Sequence, residues 1–316
     1  MKDVQAFGEA VTAAWSRAVS GQEQVLQSLL ITLLIGGNAL LVGPPGTAKT
    51  LAVKVLARCL KLPFGRIQFT PDLLPADLIG SPVLEPATGT FRIRQGPVFT
   101  TFLLADEINR APAKTQAALL EAMEERQVTI EGETTALPPT FTVFATQNPL
   151  EFEGTYPLPE AQLDRFSLQV AVDYPSEEAE RDLLLKMDRG FDARNLDALG
   201  ITPVADEAGV LALRESVRAV TVKPSVLEHL LALVRRTREE PRLLLGVSPR
   251  AAGTLLNASK ALAALRGRDF VTPDDVVDLT PEVLRHRVVL HGEAELAGMT
   301  PDDVLGRILA ELPVPR

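Results

Sequence analysis

The chain has 316 residues, 46% hydrophobic and 23% charged, which is ordinary for a folded soluble protein and long enough for two domains. A net charge of −9 argues against broad electrostatic binding to nucleic acid, and the single cysteine, Cys59, excludes an internal disulfide. The start, Met1-Lys2-Asp3-Val4-Gln5, lacks the basic and apolar regions of a signal peptide, so a cytoplasmic protein without a membrane span is expected.

Residues 1–36 read as helices, with Ser20-Gly21-Gln22-Glu23 as a break and cap between them. The apolar run Leu29–Val42 is interrupted by Gly36-Gly37-Asn38 and is too short to cross a bilayer. It reads as the end of a buried helix, a turn and a first core strand, Ala39–Gly43. Further candidate strands are Arg66–Thr70, Thr101–Ala105, Thr140–Thr146 and Leu168–Val172, alternating with helical patterns at Lys49–Leu60 and Ala113–Arg126. Strands this apolar are buried on both faces, which implies a parallel sheet covered by helices. Cys59 falls in an apolar helix pattern and reads as a buried thiol.

Between the first strand and the first of these helices lies Gly43-Pro44-Pro45-Gly46-Thr47-Ala48-Lys49-Thr50. Strand, Gly-rich loop and Lys-Thr at a helix start form a phosphate-binding arrangement, because loop and helix N–H groups face anionic oxygens. Lys49 is placed to reach β- and γ-phosphates and the Thr50 hydroxyl to ligate Mg²⁺. Ala48 stands where the strict motif has a second glycine. A Gly/Pro turn with a surface lysine is the plainer reading of the same residues.

Two segments interrupt the alternation. Residues 78–96 contain Gly80-Ser81-Pro82, Pro86-Ala87-Thr88-Gly89 and Arg92-Ile93-Arg94. Residues 127–139 contain Val128-Thr129-Ile130, Glu131-Gly132 and Thr134-Thr135. Both are predicted as β-hairpins projecting from the sheet, with surface-loop decoration as the alternative.

Leu103-Leu104-Ala105-Asp106-Glu107 is an apolar strand ending in two carboxylates. Ligands gather at the carboxyl ends of parallel strands, so Asp106 is the candidate Mg²⁺ ligand and Glu107 the base that deprotonates an attacking water. Asn148, ending the next candidate strand, is placed to hydrogen-bond that water and the γ-phosphate, although Asn before Pro is also a common turn. In Leu163-Asp164-Arg165-Phe166, Arg165 is a candidate arginine finger; the alternative is a surface pair with Asp164. Tyr174-Pro175-Ser176 then reads as a linker and cap, and residues 175–316 as a helical lid, with strong helix starts at Thr272-Pro273-Asp274-Asp275 and Thr300-Pro301-Asp302-Asp303. Arg250, in the first turn of a helix opened by Ser248-Pro249, opposes the helix dipole, which hints at a bound anion.

Taken together, Gly43–Thr50, Leu103–Arg110, Thr146–Pro149, Tyr156–Phe166 (Tyr-Pro-Leu-Pro-Glu-Ala-Gln-Leu-Asp-Arg-Phe) and Ser248–Ala251 resemble the AAA+ ATPases, and within them the MoxR family, in order and spacing. Ala48 matches the family form of the loop. The resemblance implies an α/β fold: a three-layer αβα P-loop AAA+ domain with a five-stranded parallel sheet over residues 1–174, and a C-terminal all-helical lid domain. It implies that the two hairpins are family inserts facing the pore or substrate side. ATP and Mg²⁺ are then the cofactors, held by Gly21, Gln22, Gly43, Pro44, Pro45, Gly46, Thr47, Ala48, Lys49, Thr50 and Leu51, with Thr50 and Asp106 toward the metal. Glu107, Lys49, Asn148, Arg165 and Arg250 are the catalytic set. A ring, typically a hexamer, is implied, with Arg165 acting on the neighbour's γ-phosphate and Arg250 acting in cis or in trans. Chaperone-like remodelling of a protein client is expected, including metal cofactor insertion, with a separate partner bearing a von Willebrand factor A domain. The alternatives are a nucleotide-gated scaffold with negligible turnover and a nucleic-acid motor; Arg92 and Arg94 are the small basic tip that the latter would use.

Overall fold

The computed structural model describes residues 2–86, 89–150 and 154–313; Ala87 and Thr88 of the first expected hairpin lie outside the described residues. Two helices, α1 (Lys2–Trp15) and α2 (Glu23–Ile35), lead into β1 (Ala39–Val42) and α3 (Lys49–Arg58). Then follow β2 (Phe64–Gln68), α4 (Pro75–Ile79), the hairpin β3 (Gly80–Glu85) and β4 (Thr90–Gln95), β5 (Phe102–Asp106) and α5 (Ala113–Glu125). A second hairpin, β6 (Gln127–Ile130) and β7 (Glu133–Ala136), precedes β8 (Thr142–Gln147), α6 (Glu160–Leu163) and β9 (Leu168–Ala171).

Strands β2, β5, β8, β1 and β9, in that spatial order, form a five-stranded sheet in which every pairing is parallel. The β2 strand begins and ends two residues earlier than its sequence pattern predicts, because Phe64 to Gln68 are the residues in register with Phe102 to Asp106. Successive side chains on a strand point to opposite faces, and both faces are apolar here. Ala39, Leu41, Phe102, Leu104, Phe144, Leu168 and Val170 pack toward α1, α2 and α3, with the Phe102 and Phe144 rings 4.8 Å apart. Leu40, Leu103, Ala105, Val143 and Ala145 pack toward Leu119, Leu120, Ala122 and Met123 of α5. Helix, sheet and helix thus make three layers. Cys59 is fully buried, and burial raises its thiol pKa to about 11.

The expected break between the first two helices is present, but Gln22 does not cap α2. It adopts a left-handed backbone (φ 61°) and makes no side-chain cap bond. Its amide instead donates to the Thr47 carbonyl at 3.1 Å and the Asp173 carbonyl at 3.4 Å. Leaving the cap is offset by tying the break to the phosphate loop.

Past β9 come α7 (Glu177–Asp188), α8 (Glu207–Arg218), α9 (Pro224–Glu239), β10 (Leu243–Leu245), α10 (Pro249–Leu265), α11 (Pro273–Leu284), β11 (Val289–Leu290), α12 (Gly292–Leu296) and α13 (Pro301–Glu311). Ser176 caps α7 by accepting from Ala179 N–H, and Thr272 and Thr300 form capping boxes with Asp275 and Asp303. One correction applies to the all-helical expectation: β10 and β11 pair as a short antiparallel ribbon, because Pro241 follows the end of α9 and leaves Leu243–Leu245 extended. The helical part does not stand apart from the sheet. Leu255, Ala258 and Leu262 of α10 and Val276 and Val283 of α11 share one apolar core with α1 and α2. Arg214 of α8 is buried and reaches across, donating to the Leu33 carbonyl at 2.9 Å and the Pro139 carbonyl at 3.0 Å.

Candidate nucleotide site

All five strands of the sheet run the same way, so one end carries every carboxyl terminus. The phosphate loop leaves β1 at that end. A Cβ on Gly43 would lie 2.0 Å from the Val172 carbonyl oxygen, so only glycine lets the loop start pass against the end of β9. Gly46 has φ +84° and supplies the turn. Ala48 is also left-handed at φ 61°, a conformation that costs an alanine about 1 kcal/mol or more. It is the position where the strict motif has glycine, so the departure seen in the sequence is a strained residue at the mouth of α3. The first N–H groups of α3 lack acceptors within the helix, which is the source of its affinity for anions.

Lys49 folds back over this loop. Its Nζ donates to the carbonyls of Gly43 at 2.8 Å and Pro44 at 2.6 Å, and Thr47 Oγ1 lies 3.4 Å away. Burial lowers its ammonium pKa, against the pull of Asp106 and then Glu107. The Thr50 hydroxyl donates to Asp106 Oδ1 at 3.0 Å. Pro44 and Leu51 are half-buried and Pro45 exposed, framing the loop. Gly21 lies against Ala179, and Gln22 is tied to the loop through the Thr47 carbonyl.

Asp106 ends β5 and is buried, accepting from Thr50, from Thr146 Oγ1 at 3.1 Å and from Arg66 Nε at 2.8 Å. Glu107 follows at φ 56°, a left-handed turn that directs the chain away from the strand. Its N–H donates to Thr146 Oγ1 at 2.9 Å, and its carboxylate accepts from Gln68 Nε2 at 2.7 Å and Arg110 Nη1 at 3.0 Å. Asn148 is buried, and its Oδ1 accepts from Leu150 N–H at 3.1 Å. The Nδ2 donors are therefore the ones it can offer a ligand. One protein carboxylate and one hydroxyl suit Mg²⁺, which keeps several waters and is held by few protein groups. The loop, the helix start and this donor pair fit a magnesium-bound nucleotide.

Arg165 and Arg250 are elsewhere. Leu168 of β9 is in register with Ala39, the first residue of β1, and Ser167 N–H donates to the Asn38 carbonyl at 2.7 Å. Arg165 thus lies at the amino-terminal end of the sheet, separated from its own loop by the length of β1, about 13 Å or more. It pairs with Glu124 of α5 at 2.6 Å rather than with Asp164. Arg250 opens α10 as expected, and the anion beside it is the same Glu124, at 3.0 Å. Asp164 instead faces Arg287 at 2.8 Å, whose burial lowers the guanidinium pKa to about 10.

Arg66, Gln68, Arg110, Thr146, Glu124 and Arg287 were not singled out by the sequence for a role. Arg66 and Gln68 had a signal, since two polar residues at a spacing of two on an apolar strand share one face. For Glu124 and Arg287 there was none, because their partners are far along the chain.

The turn at Arg165 is held by the helical part as well. His286 Nε2 donates to the Phe166 carbonyl at 2.9 Å and is almost wholly buried beside Arg287 and Arg285, which lowers its pKa to about 3. An imidazole normally titrates near 6.5, so below that value the unfolded chain takes up the proton first. Stability should fall as pH drops from about 6.5 toward 3. A His286→Gln variant keeps an N–H donor without the charge change. Its melting temperature should fall less steeply than wild type between pH 6.5 and 4.5; equal slopes would contradict this.

Known proteins resemble this chain along its length. Residues 38–168 match the model of the ATPase family associated with various cellular activities (AAA), and residues 235–308 match the AAA lid domain. The chain is 42% identical over 314 residues to chaperone MoxR1 of Mycobacterium tuberculosis, covering 95% of this chain and 80% of that protein. It is 28% identical over 322 residues to the magnesium-chelatase 38 kDa subunit of Acidiphilium rubrum, covering 86% and 90%. The crystal structure of a candidate ATPase from Cytophaga hutchinsonii superposes with a TM-score of 0.89 at 38% identity, covering 100% of this chain and 98% of that one.

Proposed function

The chain belongs to the MoxR family of AAA+ ATPases, and on that premise we propose that it hydrolyses ATP with Mg²⁺ at the interface between copies arranged in a ring, a hexamer in our reading. The observation that carries the reading is the convergence at one end of the sheet: Lys49 on the loop, Thr50 3.0 Å from Asp106, and Glu107 and Asn148 on the adjoining strand ends. Lys49 turns from the loop carbonyls to the β- and γ-phosphates. Thr50 and Asp106 hold Mg²⁺, which when bound neutralises charge on the phosphate oxygens. Glu107 accepts a proton from the attacking water while its oxygen bonds to the γ-phosphorus and the bond to the ADP oxygen breaks. Asn148 donates from Nδ2 to the γ-phosphate or the water.

Arg165 and Arg250 act together and in trans in this reading. Both lie on Glu124 at the end of the sheet opposite the loop, where neither side chain serves the nucleotide of its own subunit.

The output is remodelling of a protein client. Support comes from the first hairpin, where Phe91 is 73% exposed with Val83 and Leu84 also exposed beside the exposed Arg92 and Arg94, an apolar patch with a basic edge that a protein client can meet. The described residues contain no helix long and apolar enough to cross a membrane. A partner with a von Willebrand factor A domain and a role in metal insertion complete the proposal; likeness to a chelatase subunit and to a chaperone is what supports the latter.

The test is phosphate release from ATP by the purified chain with Mg²⁺. Wild type should turn over, and Lys49→Ala should lose nucleotide binding along with it. Nucleotide-dependent assembly with no phosphate release would instead favour a scaffold.

A further inference from the structure

We propose that Glu124 is a positioning residue whose carboxylate holds Arg165 and Arg250 side by side as a two-guanidinium clamp for a phosphoryl oxygen of ATP on a neighbouring copy. The inference rests on the trans reading above and adds to it a residue that touches neither nucleotide nor metal.

Each carboxylate oxygen takes one arginine. Glu124 Oε2 meets Arg165 Nη1 at 2.6 Å and Oε1 meets Arg250 Nη1 at 3.0 Å. Leu120 and Glu124 are four residues apart and share one face of α5, and the Leu120 carbonyl also accepts from Arg165 Nη1, at 3.1 Å. Two contacts from one rigid helix therefore orient a single guanidinium. Two guanidinium groups brought this close repel each other, and Arg250 in addition opens α10, where the helix dipole disfavours a cation. Among the described residues Glu124 is the one anion paired with either of them, since Asp164 is taken by Arg287.

The pair stays available to a ligand. Both contacts to Glu124 use Nη1, so the remaining N–H donors of each fork can meet a phosphate oxygen while Glu124 stays in place. The side chains are reachable: Arg165 and Glu124 are 32% exposed and Arg250 52%.

The experiment uses Glu124→Gln and Glu124→Asp in the full chain, with ATP affinity, assembly and phosphate release measured for each. Glu124→Gln should bind ATP and assemble like wild type but lose about 10- to 100-fold in kcat with little change in KM, the scale of a misplaced catalytic group. Glu124→Asp, which keeps the charge, should fall between. Mixing Glu124→Gln with Lys49→Ala subunits should restore turnover, because an intact loop then meets an intact clamp. Wild-type kcat in Glu124→Gln, or a loss that mixing does not restore, would overturn the proposal. Full turnover in Arg165→Ala would mean that the trans reading itself has failed. A dead Arg165→Ala beside a fully active Glu124→Gln would reject the clamp alone.

Discussion

Replacing Arg165 with alanine is expected to slow phosphate release by about 10³- to 10⁵-fold, the range over which an arginine finger acts. ATP binding by the substituted subunit's own loop should survive, because that loop lies at the other end of β1 from Arg165. The charge lost is one that would neutralise the transferring phosphoryl group, so the defect should fall on kcat. Mixing Arg165→Ala with Lys49→Ala subunits makes the decisive measurement. Neither turns over alone, yet a ring of both contains sites where an intact loop meets an intact finger. Recovery of phosphate release is the expected outcome. A mixture as inactive as its parts would place Arg165 in its own subunit's site, against the geometry.

Glu107→Gln should hold ATP as tightly as wild type and lose about 10²- to 10⁴-fold in turnover, the contribution of a positioned general base. The amide is nearly isosteric, and its oxygen still accepts from Gln68 and Arg110, which lie 2.7 and 3.0 Å from the carboxylate. The left-handed turn at Glu107 is tied through its own N–H to Thr146, so the backbone does not depend on the side chain. What disappears is the capacity to take a proton from water. ATP should therefore accumulate uncleaved on the assembled protein, as a filter-binding or rapid-quench measurement would read. Turnover near wild type would remove Glu107 from the mechanism.

Legibility in the sequence followed the range of each interaction. The five strands were readable because each is a short apolar run between turn residues, and β5 is buried at every position. The loop was readable because its glycines and Lys49-Thr50 are adjacent in the chain. Helix starts at Ser176, Thr272 and Thr300 were readable since a cap acts over three residues. The side-chain role of Gln22 was not readable for the opposite reason: its partners, Thr47 and Asp173, are remote. The ribbon of β10 and β11 escaped notice because each strand is too short to carry a period of its own.

The candidate residues and their order along the chain were legible in the sequence alone, since loop, acid pair, Asn148 and Arg165 each sit in a local pattern with a local physical cause. That Arg165 and Arg250 meet on Glu124, away from the loop, was decided only by the tertiary structure. Parallel pairing of β1 with β9 sends Gly43 and Arg165 to opposite ends, and the packing of α10 against the body brings Arg250 onto the same Glu124 as Arg165. Charge pairing across such distances depends on how helices and strands stack. No run of neighbouring residues encodes it.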